Sequence, residues 1–243
     1  MPTGWTNEAA IRRWGATPRE DLARMDPDGD FAKRHLLNPV LLRMLGDVRG
    51  RRVLDAGSGQ GYLSRMLAER GAHVVGVEPG ESLFDHAVAM ETERRQGIRY
   101  VQADLCGPLD LGPPFDACVT SMVLQAIPDW TVALRACVEA LRPGGLLVLS
   151  LNHPCYEDLW RSWREHGHHR TTEYFAESTT VGPHGPNFHR TLSAYLNELI
   201  GLGCRLREIA EPRLDPAEAA AGPPGIDAYS HLPNFLVVAA ERG

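Results

Sequence analysis

The chain has 243 residues, with 31 acidic and 25 basic side chains and a formal net charge of −6. Hydrophobic residues make up 43% and charged residues 23%, which is typical of a globular protein and excludes a disordered or fibrous chain. The negative charge disfavours nucleic acid as a partner, because phosphate binding requires a surplus of Lys and Arg.

Cysteine usage and the N-terminal residues predict a soluble cytoplasmic protein. The five cysteines are widely spaced, and no C-x-x-C pair suggests zinc or redox exchange. Such usage fits a reducing compartment. Polar and charged side chains within residues 1–14 argue against a signal peptide, and no run of about 18 apolar residues predicts a membrane span. We therefore expect no membrane partner.

The pattern before residue 49 predicts a helical lid over a site. Residues 31–45 form an amphipathic pattern interrupted by Asn38-Pro39, and a polar, acidic loop at residues 26–30 precedes it. We assign residues 1–48 to this lid segment and residues 49–243 to the main domain.

From about residue 52 to residue 151, short apolar runs alternate with helical periods, which predicts an α/β fold with crossover helices. The predicted strands are residues 52–56, 73–78, 98–102, 115–121 and 146–151. The predicted helices are residues 62–70, 81–93 and 129–141. Residues 142–145, Arg-Pro-Gly-Gly, end the third helix.

A different composition follows the fifth strand. Residues 152–190 contain six of the ten histidines together with several aromatic side chains, and we interpret them as an insertion that forms an acceptor site. A helix at residues 191–202 and strands at 206–210 and 235–240 are predicted next, with a surface loop at 217–224.

Glycine occupies every second position of a turn between the first strand and the first crossover helix, at Gly57, Gly59 and Gly61 after Asp55. Glycines allow backbone to pass close to a ligand or to take positive φ, and the following helix start offers free N–H groups. The turn therefore predicts a nucleotide-like ligand. A dinucleotide fingerprint requires a glycine where this chain has Tyr62, which disfavours a nicotinamide cofactor.

The turn resembles motif I of class I S-adenosylmethionine-dependent methyltransferases, and further residues extend the resemblance in chain order. Glu78 lies 21 positions after Gly57, Asp104 follows the third strand, and segments 115–122 and 141–145 also resemble the family. Residues 31–151 carry the resemblance well and the remainder only loosely. The resemblance implies a Rossmann-like, seven-stranded, mostly parallel sheet with helices on both faces and S-adenosyl-L-methionine as the cofactor.

The resemblance also implies a set of cofactor contacts. Glu78 holds the ribose hydroxyls, which suits an acceptor-only side chain with two oxygens, and Asp104 takes the adenine amino group. Arg34 pairs with the methionine carboxylate, or is a surface charge. The complete implied set is Arg34, Asp55, Gly57, Ser58, Gly59, Gly61, Glu78, Pro79, Asp104, Leu105, Ser121 and Met122.

Each of these features has a plainer interpretation when taken alone. A single glycine-rich turn is more often a tight connection, and Glu78 or Asp104 alone would be helix-end charges. Their occurrence in order on consecutive strands favours the cofactor.

Methyl transfer from a sulfonium is a direct displacement, so the protein must align the acceptor and remove its proton where it has one. His153, His189 and Tyr174 are the catalytic candidates, because an imidazole titrates near neutrality and a phenol ring can wall a flat acceptor. The alternatives are a His153 that fixes a loop, a His189 with no contact to substrate, and ordinary packing of Tyr174. Relatives frequently have histidine where this chain has Gln125, so no base is assigned there.

No metal site is predicted, since His166, His168 and His169 lack the helical spacing of a metal pair. The predicted function is methyl transfer to O, N or C of a small, flat secondary metabolite. Two alternatives stay open: a protein that binds S-adenosylmethionine without methylating, as a scaffold or cyclase, and a nicotinamide oxidoreductase. The sequence leaves the acceptor unnamed and a homodimer open.

Overall fold

The computed structural model describes residues 4–24 and 28–243. Within them the strands are β1 Arg52–Ala56, β2 His73–Val77, β3 Arg99–Val101, β4 Phe115–Ser121, β5 Leu141–Asn152, β6 Thr179–Val181, β7 Pro186–Phe188, β8 Cys204–Ala210 and β9 Phe235–Arg242. The helices are α1 Asn7–Gly15, α2 Arg19–Arg24, α3 Asn38–Leu45, α4 Tyr62–Glu69, α5 Glu81–Arg94, α6 Trp130–Glu139, α7 Leu159–His166, α8 Leu192–Gly201, α9 Pro216–Ala220 and α10 Ala228–His231. A π-helical turn, Lys33–Leu37, leads into α3, and a short helical turn, Leu124–Ala126, follows β4.

Seven strands form one twisted sheet in the order β3-β2-β1-β4-β5-β9-β8. The first five are parallel, whereas β9 runs antiparallel between β5 and β8. The predicted α/β fold with a seven-stranded, mostly parallel sheet is confirmed. The strand order reverses between β1 and β4, and ligands of open α/β sheets bind at such a point, beyond the carboxyl ends of the strands.

Both faces of the sheet are covered, which explains the nearly continuous apolar runs of the central strands. Successive residues of β1 point to opposite faces, so Val53 joins one core cluster and Leu54 joins the other. Leu41 and Leu67, from α3 and α4, pack in the first cluster. Leu134, from α6, packs in the second. Helices therefore lie on both faces, as predicted.

The predicted break at Asn38-Pro39 is wrong, because the helix continues through it. The amide of Asn38 donates to the carbonyl of Lys33, five residues back, and this wider π-helical turn delivers the chain into α3. Pro39 then lies in the first turn of α3, where its missing N–H removes no required bond. Of the predicted acidic loop, residues 26 and 27 lie outside the described residues.

Two other boundaries differ from the prediction. Helix α6 ends at Glu139 and β5 begins at Leu141, so Pro143 and its glycines form the irregular start of a strand. The predicted loop at 217–224 contains most of α9, whose Ala219 is buried. Asp215 caps this helix and Pro216 is its first residue, a start signal that the loop interpretation overlooked.

The segment after β5 contributes α7 and a separate hairpin of β6 and β7. Thr191 caps α8, as its position suggested, because its side-chain oxygen accepts from the amide of Ala194. Among the described helices, none is long and apolar enough to cross a membrane.

Candidate cofactor and acceptor site

A cavity of about 1010 Å³ lies beyond the carboxyl ends of β1, β2 and β4. Ligand cavities in proteins measure roughly 300 to 1,000 Å³, so this one has room for a cofactor and a second molecule. Its wall includes the turn at 57–62, the segment at 121–128, helix α1 with residues 29–33, and the segment at 223–235, together with residues that follow β2, β3 and β5.

The glycine-rich turn follows β1 and forms one wall of the cavity. The amides of Gly57 and Ser58 both donate to the carbonyl of Val77, at 2.8 and 2.9 Å, which holds the turn against the end of β2. Gly57 has φ of 78°, and a Cβ atom there would lie 2.5 Å from Val123. Gly59 also has positive φ, at 55°, but a Cβ atom there would meet no protein atom within 4 Å. The protein's own packing therefore favours glycine at position 57 and leaves open space at position 59.

Glu78 faces this turn from the end of β2. Its Oε2 accepts from the amide of Gly59 at 2.9 Å, and its Oε1 accepts from the amide of Gly80 at 2.8 Å. The residue is only 6% exposed, and this burial raises the pKa of its carboxyl to about 7 against the opposing effect of the two amides. Each oxygen keeps a second lone pair, so the carboxylate can accept two further donors from the cavity.

Asp55 lies beneath the turn and does not line the cavity. Its Oδ2 accepts from the hydroxyl of Ser64 at 2.6 Å, which ties the end of β1 to the first turn of α4. Burial raises the pKa of this carboxyl to about 6. The structure therefore gives Asp55 a supporting position under the glycine turn.

Asp104 lines the cavity beyond β3. Its Oδ1 accepts from the amide of Cys106 at 2.9 Å, a local turn bond that orients the carboxyl group. Leu105, Leu83 and Pro79 line the cavity beside it. Together they form an apolar slot with a carboxylate at one end.

Ser121 and Met122 line the cavity at the end of β4. The amide of Met122 donates to the carbonyl of Ser150 at 3.0 Å, and its φ is 63°. Positive φ is uncommon for a residue with a side chain and is found mostly where a site constrains the backbone.

Nine of the twelve predicted cofactor contacts line one cavity: Gly57, Ser58, Gly59, Glu78, Pro79, Asp104, Leu105, Ser121 and Met122. Asp55 and Gly61 lie behind the wall, and Arg34 contacts the carbonyl of Gly29 at 3.5 Å without lining the cavity.

None of the three catalytic candidates lines the cavity. His153 is 2% exposed, and its Nε2 lies 2.7 Å from Oε1 of Glu211 while its Nδ1 accepts from the amide of Cys155. His189 lies between Oε2 of Glu157, at 2.9 Å, and the carbonyl of Tyr174, at 2.7 Å. Both imidazoles therefore have both nitrogens engaged within the protein.

Tyr174 is engaged as well, because its hydroxyl oxygen accepts from the amide of Leu192 at the start of α8. The bonds of His189 lie within the insertion, that of Tyr174 connects the insertion to α8, and that of His153 connects it to the end of β8. The geometry places the three candidates in structural hydrogen bonds.

Helix α1 lies over the cavity, within the predicted helical lid, although the sequence pattern was not used to predict its bounds. Ala10, Ile11 and Trp14 line it from one face of this helix. The signals were present, since Thr6 caps the helix by accepting from the amide of Ala9 and the apolar side chains share a face.

Three loops hold α1 in place. The amide of Asp129 donates to Oδ1 of Asn7 at 3.1 Å, and Arg13 donates to the carbonyl of Pro183 in the hairpin turn at 2.6 Å. Gly15 packs backbone to backbone on Gly80, where a Cβ atom on Gly15 would lie 3.1 Å from the Cα of Gly80. The helix therefore connects the hairpin to the Glu78 turn.

Several aromatic side chains also line the cavity. Phe31, Tyr62, Trp160 and Tyr229 line it, and we call these four side chains the aromatic chamber. Lys33 lies at its edge, with Nζ 5.7 Å from the ring centre of Tyr62 and 3.9 Å from Oδ2 of Asp30. Tyr229 comes from α10, in the stretch that sequence reasoning left without a role.

The residues present fit S-adenosylmethionine. The hydroxyl of Ser58 is buried on the glycine turn without a hydrogen-bond partner in the described chain, which a polar ligand would supply. The free lone pairs of Glu78 and the apolar slot beside Asp104 suit a ribose and an adenine. In the described residues no group of three or more His, Cys, Asp or Glu could hold a metal ion.

Comparison with known proteins decides the family. A family described as a methyltransferase domain matches residues 31–189. The chain belongs to this family. The S-adenosylmethionine-dependent methyltransferase from Mesorhizobium loti has 28% sequence identity and a TM-score of 0.73, over 89% of this chain and 100% of that one. The predicted resemblance, enzyme class and cofactor are confirmed.

Two curated relatives of this methyltransferase are named ubiquinone biosynthesis O-methyltransferase. The protein from Alkalilimnicola ehrlichii is 33% identical over 59% of this chain and 56% of its own length. That from Idiomarina loihiensis is 36% identical over 51% of this chain and 54% of its own length. The chain thus spans about half the length of the curated relatives it matches.

Proposed function

We propose that this methyltransferase transfers the methyl group of S-adenosylmethionine to an oxygen of a small, planar acceptor bound in the aromatic chamber. The observation that carries the proposal is one continuous cavity in which the turn facing Glu78 opens into the chamber. Such a cavity holds two molecules in contact, as a direct displacement requires.

At the cofactor end, the chain's own residues supply binding and orientation. Glu78 accepts the two ribose hydroxyls, and Asp104 accepts from the adenine amino group. Ser58 and the backbone of Gly59 contact the methionine portion of the cofactor. The absence of a Cβ atom at Gly59 leaves space for it. Asp55 keeps the turn in position from beneath. The bound cofactor supplies an electrophilic methyl group on a sulfonium.

At the acceptor end, aromatic side chains favour a flat molecule, since rings pack well on rings. Asn152 and Asn234 add hydrogen-bonding groups to the same wall. The O-methyltransferase names of the curated relatives support oxygen as the methylated atom.

The acceptor hydroxyl loses its proton to solvent water before the displacement, and the positive charge of Lys33 favours the ionised oxygen that remains. The ammonium group of Lys33 lies on the chamber wall, and a nearby cation lowers the pKa of an ionising hydroxyl. His153 and His189 have no part in this step. Helix α1 and Lys33 both line the cavity, which supports the proposed role of the N-terminal segment as a lid.

The test begins with calorimetric titration of S-adenosylhomocysteine and, separately, NADH. We expect micromolar binding of the first only. Methyl transfer to planar phenols is then followed by the release of S-adenosylhomocysteine. Release that depends on the acceptor supports the proposal. Binding without turnover of any acceptor would favour a non-methylating scaffold or cyclase, and the absence of binding would contradict the cofactor site.

A further inference from the structure

Gln125 carries a buried polar atom that the protein itself does not satisfy. The residue lies in the helical turn Leu124–Ala126, is 4% exposed and lines the cavity. Its Oε1 is buried and has no hydrogen-bond partner within the described residues. Most buried polar atoms in proteins are paired, so this oxygen indicates a missing donor.

The neighbouring sulfur determines which end of the amide is unpaired. Nε2 of Gln125 lies 3.8 Å from Sδ of Met122. A thioether can accept a hydrogen bond weakly but cannot donate one, so the NH₂ group faces it. The carbonyl oxygen of the side chain is therefore the end that is left without a partner.

The turn that carries Gln125 is held firmly. The guanidinium of the buried Arg190 donates to the carbonyls of Leu124, Ile127 and Pro128, at 3.1, 2.8 and 3.0 Å. A turn restrained by three such bonds does not relax to give Oε1 a partner from the protein. Sites built on restrained elements position their ligands well.

This turn also borders the glycine turn. A Cβ atom on Gly57 would lie 2.5 Å from Cγ2 of Val123, two residues before Gln125. Gln125 and the glycine turn also line the same cavity, so a molecule bonded to Gln125 would share that cavity with the occupant of the glycine turn. Among the described residues, Ser58 provides the other buried side-chain oxygen of the wall that has no partner, and it belongs to the cofactor end.

We propose that Gln125 orients the methyl acceptor by accepting a hydrogen bond from a second donor, an O–H or N–H next to the hydroxyl that is methylated. The inference rests on the proposed function and narrows its substrate class. Aromatic acceptors with two neighbouring donors are preferred to those with a single hydroxyl. The residue acts on specificity, and the displacement itself does not pass through it.

Three small acceptors test this preference: catechol and 2-aminophenol, which carry a second donor, and phenol, which does not. Gln125→Leu keeps the size of the side chain and removes the oxygen. We expect kcat/KM for the first two to fall by about 10-fold, as for the loss of one hydrogen bond, and kcat/KM for phenol to stay unchanged. Gln125→Glu keeps an oxygen at the same reach and should retain the preference.

Ser58→Ala is the matched control, because it removes the other unpaired oxygen. It should weaken S-adenosylhomocysteine binding and leave the preference among the three acceptors unchanged. An equal loss on all three acceptors in Gln125→Leu overturns the inference, as does a fall in cofactor affinity without a change in preference.

Two readouts do not need turnover. The melting temperature of the ligand-free Gln125→Leu variant should equal or exceed that of the wild type, since an unpaired buried oxygen is removed. With S-adenosylhomocysteine bound, catechol should raise the wild-type melting temperature more than phenol does, and this difference should vanish in the variant. If no acceptor is methylated but catechol still raises the wild-type melting temperature more than phenol does, the proposed function fails and the binding role of Gln125 stands. A less stable variant, or no difference in the wild type, overturns the inference.

Discussion

The main-chain amide of Gly59 donates to Oε2 of Glu78 at 2.9 Å and so joins the turn after β1 to the end of β2. The other carboxylate oxygen is held by the amide of Gly80. Burial nevertheless raises the pKa of Glu78 to about 7. The charge that faces the cavity therefore changes near neutral pH.

This pKa predicts that affinity for S-adenosylhomocysteine depends on pH. Ribose hydroxyls donate more strongly to an ionised carboxylate than to a protonated one. A group with a pKa of about 7 is about one-tenth ionised at pH 6 and about nine-tenths ionised at pH 8, so affinity should rise about 10-fold between them. Calorimetric titration at pH 6 and pH 8 measures this affinity. Glu78→Gln should bind more weakly at both pH values and show little change, and an equal rise in both proteins would assign the effect to another group.

The same shift has the opposite effect on the stability of the ligand-free protein. The folded pKa of about 7 exceeds the ordinary 4.5, so the folded protein binds the proton more tightly than the unfolded chain. The free energy of unfolding should therefore fall as pH rises from about 4.5 to about 7. Urea unfolding at pH 5 and pH 8 checks this. Glu78→Gln should lose less stability than the wild type over that range, and a greater loss would contradict the assignment.

Gly59 offers a way to separate backbone strain from ligand contact. Gly59→Ala should destabilise the protein by about 1 to 2 kcal/mol because of its positive φ, without a steric clash. Gly97→Ala is the matched control, with φ of 80° and no neighbour within 4 Å, outside the cavity. Both variants should lose similar stability in urea unfolding, and only Gly59→Ala should lose affinity for S-adenosylhomocysteine in calorimetry. If Gly59→Ala and Gly97→Ala bound S-adenosylhomocysteine with equal affinity, Gly59 would not be a cofactor contact.

The sequence predicted the sheet well because its signals are local. β1 and β4 have the predicted ends, since each is a short apolar run bounded by charged residues or turns. The cofactor wall was predictable for the same reason: Glu78 directly follows β2, Asp104 lies three residues after β3, and parallel strands have their carboxyl ends at one edge of the sheet.

The acceptor wall was less predictable because it depends on distant contacts. Tyr229 and Trp160 approach Phe31 only after α10, α7 and the N-terminal segment have packed together. The surroundings of His153 and His189 also depend on distant contacts. Their residue type suggested catalysis, but Glu211 and Glu157, 58 and 32 residues away in the chain, engage their rings.

Arg190 is expected to hold the cavity segment at 124–128. Arg190→Met keeps an apolar chain between the rings of Trp130 and Phe188 but leaves three carbonyls without their donor. Each lost bond costs about 1 kcal/mol, so a total of about 2 to 4 kcal/mol is expected in urea unfolding. Arg205→Met, which breaks an exposed ion pair with Glu241, is the control and should cost less than about 1 kcal/mol. Similar losses in both variants would contradict this role.

The two buried histidines give the last prediction. A general base contributes about 10²- to 10⁴-fold to a rate, so replacing a catalytic His153 or His189 would lower kcat by a factor in that range. Their rings are engaged by Glu211, Glu157 and backbone, away from the cavity. We therefore expect His153→Gln and His189→Gln to lower the melting temperature and to change kcat by less than about 3-fold.

The pair of measurements separates the two roles, because a base can be removed without loss of stability and a structural histidine cannot. Melting curves first establish a temperature at which each variant is fully folded, and kcat is then compared there with that of the wild type. If kcat fell by about 100-fold or more in a variant with an unchanged melting temperature, that histidine would be assigned the role of a catalytic base. Such a result would also require the imidazole to leave its partner carboxylate, Glu211 for His153 or Glu157 for His189, to reach the chamber.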